Sequence, residues 1–318
     1  MKRIFVRGGL PRNIKGSVVA IGVFDGVHRG HQKVIGRAVA EARRLHLPSV
    51  VITFYPHPVE VLQPQKNFLY ITTLERRLQL IESLGVDVCI VIAFNKEFAA
   101  QDPVRFIQDF LVRQLGVRKI VLGSDFQFGR KREGTLDLLK RLGRSSGFIV
   151  ERVSILNSIN TNIKSTFIKN LILEGDLKLL RRFLGRRYDF LGEIEHGEGR
   201  GRKLGYRTAN FKKENVTILP SGIYFVRAKC VDAGVKTRSK TFFGLCYIGS
   251  KPTFKSKNAT IILELHLLDL DACLYGQKIL MEFFKKERDD IKFSDEKSLV
   301  SQIARDVKKA RLFFKTSL

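Results

Sequence analysis

The order in which apolar runs and helical patterns follow one another constrains the fold of this chain most. Through the first half the two alternate. Residues 18–24, 50–54, 86–93, 119–122 and 148–153 read as strands. Helical spacing runs through 31–45, 74–84, 103–115 and 135–143, the third carrying Val104, Ile107, Phe110, Leu111 and Leu115. Strands that alternate with helices pair in parallel through crossovers, so the first half is expected to be α/β, with helices on both faces of a parallel sheet. Short helices over 165–172 and 176–184 close it. The rhythm then changes. Residues 188–195, 223–230, 241–248, 261–268 and 278–284 are strand-like and separated by turns, and no long helix intervenes until 294–314. Strands without crossover helices predict an antiparallel barrel or sandwich. The boundary is placed near Gly185, giving domains 1–184 and 185–318. A chain of 318 residues suggests about two domains in any case.

Charge narrows the ligands. The net charge is +26, shared as +15 over the first 183 residues and +11 from Leu184 onward. A field of this sign favours phosphorylated ligands and loose contact with RNA, although a solvated basic surface has the same composition. Cys89, Cys230, Cys246 and Cys273 are far apart and form no CxxC pair, which argues against a thiolate zinc site. They read as small buried hydrophobes of a reducing compartment. No apolar run approaches the roughly 20 residues of a membrane span. The basic start Met1-Lys2-Arg3-Ile4-Phe5-Val6-Arg7 is followed by no long apolar stretch, so a cytoplasmic protein without a secretory signal is expected.

The first chemical constellation is Gly22-Val23-Phe24-Asp25-Gly26-Val27-His28-Arg29-Gly30-His31. A wholly apolar strand runs into it and a helix leaves it. In doubly wound folds ligands sit at the carboxyl ends of such strands. A helix N-terminus offers free N–H groups and a positive dipole end to phosphates. His28 and His31 share one face of that helix start and can donate to phosphoryl oxygens as charge develops. Gly22, Gly26 and Gly30 let backbone approach a nucleotide closely.

With two further motifs, Thr53-Phe54-Tyr55-Pro56-His57-Pro58 and Gly123-Ser124-Asp125-Phe126-Gln127-Phe128-Gly129-Arg130-Lys131-Arg132-Glu133-Gly134, the chain resembles the adenylyltransferase module of bacterial bifunctional riboflavin kinase/FAD synthetases. The resemblance implies that His28 and His31 handle ATP phosphates, with Gly22, Phe24, Asp25 and Gly30 around them. It implies that Phe54, Pro56, His57, Pro58, Asp125, Phe126 and Phe128 shape a flavin pocket. Asp125 also reads as a turn or helix cap, and His57, between two prolines, as a rigid turn. Ser165-Thr166-Phe167-Ile168-Lys169 matches the family's Ser-Thr-x-x-Arg element, implying that Ser165, Thr166 and Lys169 hold a phosphate. Lys169 replaces the usual arginine and Lys164 a usual serine. Lysine keeps the charge but loses the bidentate fork.

The second constellation is Gly197-Glu198-Gly199-Arg200-Gly201-Arg202-Lys203-Leu204-Gly205, followed by Tyr206-Arg207-Thr208-Ala209-Asn210. A glycine loop with backbone donors can wrap phosphates. The Thr208 hydroxyl and Asn210 amide oxygen are hard donors suited to Mg²⁺. These segments, with Gly249-Ser250-Lys251-Pro252-Thr253-Phe254, Glu264-Leu265-His266-Leu267-Leu268-Asp269, Leu274-Tyr275-Gly276 and the closing Lys292-Phe293-Ser294, Gln302-Ile303 and Asp306, resemble the family's kinase module in order. The resemblance implies a Rossmann-like nucleotidyltransferase domain followed by an antiparallel β-barrel riboflavin kinase domain with a C-terminal helix. It implies Gly199, Gly201 and Lys203 on ATP, Thr208 and Asn210 on Mg-ATP, and Glu264 as base toward riboflavin. Glu264 stands out unaided, because a carboxylate within Ile261-Ile262-Leu263-Glu264-Leu265 costs energy unless partnered or turned outward. His266 shares its face, where packing is its expected role. Arg207 replaces the proline of the family's Pro-Thr-Ala-Asn motif and loosens the loop. Two other readings stay open: an adenylyltransferase whose second module only binds flavin, and a basic RNA-binding protein on the same scaffold. The implied small molecules are riboflavin, FMN, FAD and ATP, with Mg²⁺. No specific nucleic acid and no membrane is expected as a partner.

Overall fold

The structure, a computed structural model, describes residues 1–7, 14–123, 126–130, 133–154, 163–196, 201, 204–231, 241–251, 260–270 and 274–316. The chain divides into two compact units, Met1–Ser165 and Thr166–Leu318.

In the first unit, six strands form a sheet in which every pairing is parallel. They are β1 (Lys2–Val6), β2 (Ser17–Ile21), β3 (Ser49–Tyr55), β4 (Val88–Ala93), β5 (Val117–Gly123) and β6 (Ile149–Val153), in the spatial order β1-β4-β3-β2-β5-β6. Every residue of β2 is buried, as a central parallel strand requires. Helix α1 (Arg29–Arg44) turns Val34, Ile35, Ala38, Val39 and Ala42 onto one sheet face. Phe106, Ile107, Leu111 and Leu139 cover the other. The strand order reverses at β2, which has β3 on one side and β5 on the other. That reversal opens a crevice beyond the strand ends.

Four sequence expectations shift. The strand expected over 18–24 ends at Ile21, because Phe24 adopts a left-handed conformation at φ 53° and turns the chain into its loop. The basic N-terminus is a strand, β1, added beside β4 at the sheet edge. The helical stretch expected over 103–115 is a short α-turn, Pro103–Arg105, followed by a π-helix, Phe106–Gln114. Its wider winding stacks Phe106 on Phe110 at 5.4 Å and brings Phe106 to 5.5 Å from Phe128. A turn missed altogether is α2 (Pro58–Leu62). Helices α3 (Leu74–Glu82) and α4 (Leu136–Ser146) match their sequence patterns and start on Thr73 and Thr135 caps.

The second unit holds α5 (Ser165–Glu174, but for its first residue), α6 (Leu177–Leu184) and a closed antiparallel barrel. Its strands are β7 (Asp189–Glu195), β8 (Ala209–Phe211), β9 (Gly222–Cys230), β10 (Thr241–Lys251), β11 (Thr260–Leu267) and β12 (Lys278–Arg288), in the order β10-β11-β8-β7-β12-β9. Three-residue β8 is too short to show in a hydropathy pattern, yet it closes the ring. Leu263, Leu265 and Leu267 alternate into the barrel interior. Outside, Phe225, Leu245 and Leu268 pack under Ala310 and Phe314 of α7 (Glu296–Thr316). Arg288 pins α7 by donating from Nε and Nη2 to Asp306 at 2.9 and 2.8 Å. Cys89, Cys230 and Cys246 are buried free thiols, as expected, and Cys273 lies outside the described residues.

Candidate active sites

Three of the sequence motifs leave the carboxyl ends of three adjacent strands, β3, β2 and β5. The loop after β2 is built tightly. A Cβ on Gly22 would stand 2.8 Å from the Phe24 ring, so only glycine lets that ring fold back. Phe24 then meets His31 edge-on at 5.3 Å. His28 caps α1: its Nδ1 accepts from the His31 N–H at 3.4 Å. Accepting there leaves Nε2 to carry the proton of neutral His28. The two imidazoles stack with centroids 3.6 Å apart. Burial pushes the His31 pKa well below the ordinary imidazole range, with His28 and Arg77 adding to the effect. Its Nδ1 is buried and has no hydrogen-bond partner. The loop thus holds two stacked imidazoles, His31 among them disfavoured as a cation, at the positive end of a helix.

Asp25 and Gly30 are buried in this loop. The Asp25 carboxylate accepts from the N–H groups of Ile71 and Thr72 at 2.9 and 3.2 Å, and Gly26 N–H donates to Thr72 Oγ1. Asp25 therefore staples the loop to the segment leading into α3. Arg77 of α3 is completely buried. Its Nη1 donates to the carbonyls of Val23 and Phe54, each at 3.2 Å, and its Nη2 lies 3.7 Å from Asp25. One cation so ties the ends of two neighbouring strands together. Burying it costs several kcal/mol before its partners offset the loss, which marks a structural demand at this sheet edge. Sequence reasoning missed Arg77. The signal was a charge within the apolar stripe Leu74, Leu78 and Ile81.

Around the β3 end, His57 caps α2, its Nδ1 accepting from Val59 N–H at 3.0 Å while its own N–H donates to the Tyr70 hydroxyl at 2.8 Å. Phe68 stacks on His57 at 4.0 Å, and Tyr70 donates to Glu60. Pro56 precedes and Pro58 opens α2. Phe54 is buried, with its ring 6.0 Å from both Phe94 and Phe98. Phe126 and Phe128, half-buried beyond β5, stack at 5.5 Å. Asp125 lies outside the described residues. Ser165, Thr166 and Lys169 stand in the first turns of α5.

The barrel builds its candidate site differently. Antiparallel register sets Asn210 of β8 opposite Glu264 of β11, and Glu264 opposite Tyr247 of β10. On the other side Asn210 faces Glu195 of β7. Glu195, Asn210, Glu264 and Tyr247 form one row across four strands. The row lies on the outer surface, since the alternate residues Leu263 and Leu265 fill the interior. Tyr247 donates to Asp290 at 3.1 Å; burial first, then Asp290 and Glu264, push its phenol up to about 12. His266, on the Glu264 face, bonds through Nδ1 to the Arg207 carbonyl at 2.9 Å. Gly201 is pressed against Thr208, where a Cβ would come within 2.8 Å of Oγ1. Gly199 and Lys203 lie outside the described residues. Among the described residues no group of three His, Cys, Asp or Glu side chains is arranged to hold a metal ion. The oxygens of Thr208 and Asn210 instead suit a hard cation that keeps waters and arrives with phosphates.

A parallel sheet whose strand order reverses at β2, followed by a closed antiparallel barrel with a polar outer row, defines a two-module α/β and β-barrel protein. Comparison with known proteins narrows this. The FAD synthetase family model matches residues 10–167 and the riboflavin kinase model residues 184–314. The chain is 35% identical to the bifunctional riboflavin kinase/FMN adenylyltransferase of Buchnera aphidicola subsp. Schizaphis graminum, covering 94% of both chains. It is 37% identical to the Bacillus subtilis protein of the same name, over 94% of this chain and 92% of that one. The crystal structure of a macrolide-efflux protein from Streptococcus pneumoniae superposes with a TM-score of 0.81 at 27% identity, covering 98% and 99% of the two chains. Among the described residues no helix is long and apolar enough to cross a membrane. The chain belongs to the bifunctional riboflavin kinase/FMN adenylyltransferase family.

Proposed function

We propose that adenylyl transfer takes place on the loop after β2 and phosphoryl transfer on the outer row of the barrel. The observation that carries this reading is the convergence of three motifs on the carboxyl ends of β3, β2 and β5, with His28 and His31 stacked at the start of α1. In the first site the FMN phosphate attacks the α-phosphorus of ATP, and the bond to pyrophosphate breaks. His28 and His31 donate hydrogen bonds to phosphoryl oxygens as negative charge builds. Gly22, Phe24 and Gly30 shape the phosphate path. Asp25 and Arg77 hold it in place. Ser165, Thr166 and Lys169 are the residues that the Ser-Thr-x-x-Arg element assigns to phosphate. Phe126, Phe128, Pro56, His57 and Pro58 border the flavin, and the buried Phe54 supports them from beneath. No covalent intermediate with the protein is formed.

In the second site Glu264 takes the proton of the ribityl hydroxyl, which attacks the γ-phosphorus of a second ATP; the bond to ADP breaks, giving FMN and ADP. Thr208 and Asn210 offer oxygens to Mg²⁺, which when bound neutralises charge on the phosphates. Positioning supplies most of the rate. The functional domains are 1–184 and 185–318. We assign the enzyme to the cytoplasm, and its positive charge to phosphorylated substrates rather than to RNA. The test is to incubate the full chain with riboflavin, ATP and Mg²⁺ and to separate the flavins by chromatography. FMN followed by FAD is expected. Formation of neither overturns the reading, and FAD from supplied FMN but none from riboflavin reduces the barrel to a flavin-binding module.

A further inference from the structure

Arg207 stands where the family motif has proline, so the residue before Thr208 lacks a ring to restrict its backbone. The structure supplies another restraint. Glu264 and Leu265 of β11 pair with Asn210 and Ala209 of β8. His266 follows Leu265 in β11, and Thr208 is the residue just before β8. There His266 Nδ1 lies 2.9 Å from the Arg207 carbonyl oxygen. A carbonyl can only accept, so Nδ1 carries the hydrogen. Tyr206 braces the ring edge-on at 5.6 Å. The Tyr206 N–H in turn donates to the Gly201 carbonyl at 2.8 Å, two residues before Thr208. The peptide before Thr208 is thus held by a side chain from the strand that carries Glu264.

We propose that His266 is a positioning residue of the kinase site: its Nδ1–H bond to the Arg207 carbonyl holds the Arg207-Thr208 peptide, and with it the Thr208 hydroxyl, beside Glu264. The inference rests on the reading of Thr208 and Glu264 as kinase residues. An unanchored loop spends part of its time out of place, and ligand affinity falls by the competent fraction. Saturating nucleotide pulls the loop back. Losing the anchor therefore raises the KM for MgATP and leaves kcat largely intact, whereas loss of a catalytic group lowers kcat.

The test uses the full chain carrying His266→Asn, His266→Gln, His266→Ala or Thr208→Ala. Riboflavin phosphorylation is measured against MgATP concentration, and thermal unfolding of each variant is recorded. His266→Ala is expected to raise the KM for MgATP about three- to tenfold, the worth of one net hydrogen bond, with kcat within about twofold. His266→Asn places an amide N–H where Nδ1–H was and is expected to restore the wild-type KM. His266→Gln, whose amide reaches toward the Nε2 position, is expected to behave as His266→Ala. Equal behaviour of the Asn and Gln variants, an unchanged KM in His266→Ala, or a fall in kcat alone overturns the proposal. If His266→Ala melts early, the Asn and Gln pair decides. An undisturbed KM in Thr208→Ala overturns the underlying site reading instead, and the inference with it.

Discussion

The two units build their proposed sites by opposite means. In the first, one short contiguous stretch supplies a strand end, a glycine turn, a capping imidazole and a helix N-terminus. In the second, Glu195, Asn210, Glu264 and Tyr247 come from four strands and meet only through register. A loop site is fixed by local backbone, so substitutions in it act locally. A register site is fixed by the whole barrel, because a one-residue slip would turn every member to the other face. Each proposed site also has a nearby backbone tie: buried Arg77 bonds the Val23 and Phe54 carbonyls, and partly exposed His266 bonds the Arg207 carbonyl.

That difference can be broken or sharpened by substitution. Glu264→Gln removes the base and is expected to slow riboflavin phosphorylation by about 10²- to 10⁴-fold, while FAD formation from supplied FMN continues at the wild-type rate. Steady-state assays of each half-reaction check this, and a parallel loss of both would erase the separation of the sites. His28→Ala is expected to slow FAD formation by about 10²- to 10³-fold and to leave FMN accumulating from riboflavin. Arg77→Met strips the tie rather than the chemistry. It is expected to destabilise the first unit by about 3 kcal/mol, read by urea unfolding, with the kinase unaffected. An unchanged midpoint would show that the strand ends need no cation.

The smallest expected effect is on pH. The His31 pKa in the folded chain lies well below 6.5, its ordinary value. Below pH 6.5 the unfolded chain takes up a proton that the folded one refuses. Stability is therefore full above that pH and declines as pH falls through it, by up to about 1.4 kcal/mol per unit. Unfolding the wild type and His31→Gln at neutral and mildly acidic pH checks the sign: the variant should lose less. Equal slopes would mean that His31 is not held neutral.

How much was legible in the sequence follows from the same contrast. The alternation of runs predicts the parallel sheet, the later run of strands an antiparallel barrel or sandwich, and the loop Gly22 to His31 carries its own local logic of glycines, cap and helix. Asp25 was legible as part of that loop, but its partners Ile71 and Thr72 lie far along the chain and come near only on folding. Arg77 was hidden because a cation in a helix reads as solvated. The π-winding of Phe106–Gln114 was hidden because its apolar positions also satisfy α-helical spacing. In the barrel, Glu264 was visible as a charge among hydrophobes, whereas β8 is too short for periodicity to reveal, and with it went the register that sets Asn210 against Glu264.

Two independent sites in one chain lead to a direct measurement. His28→Ala and Glu264→Gln are each incubated with riboflavin, ATP and Mg²⁺, alone and then mixed, and FAD is followed by chromatography. Neither variant alone should make appreciable FAD. The mixture should, because FMN released by the first is adenylylated by the second. A mixture as inactive as its parts, or FAD from either variant alone at the wild-type rate, would contradict two separate sites.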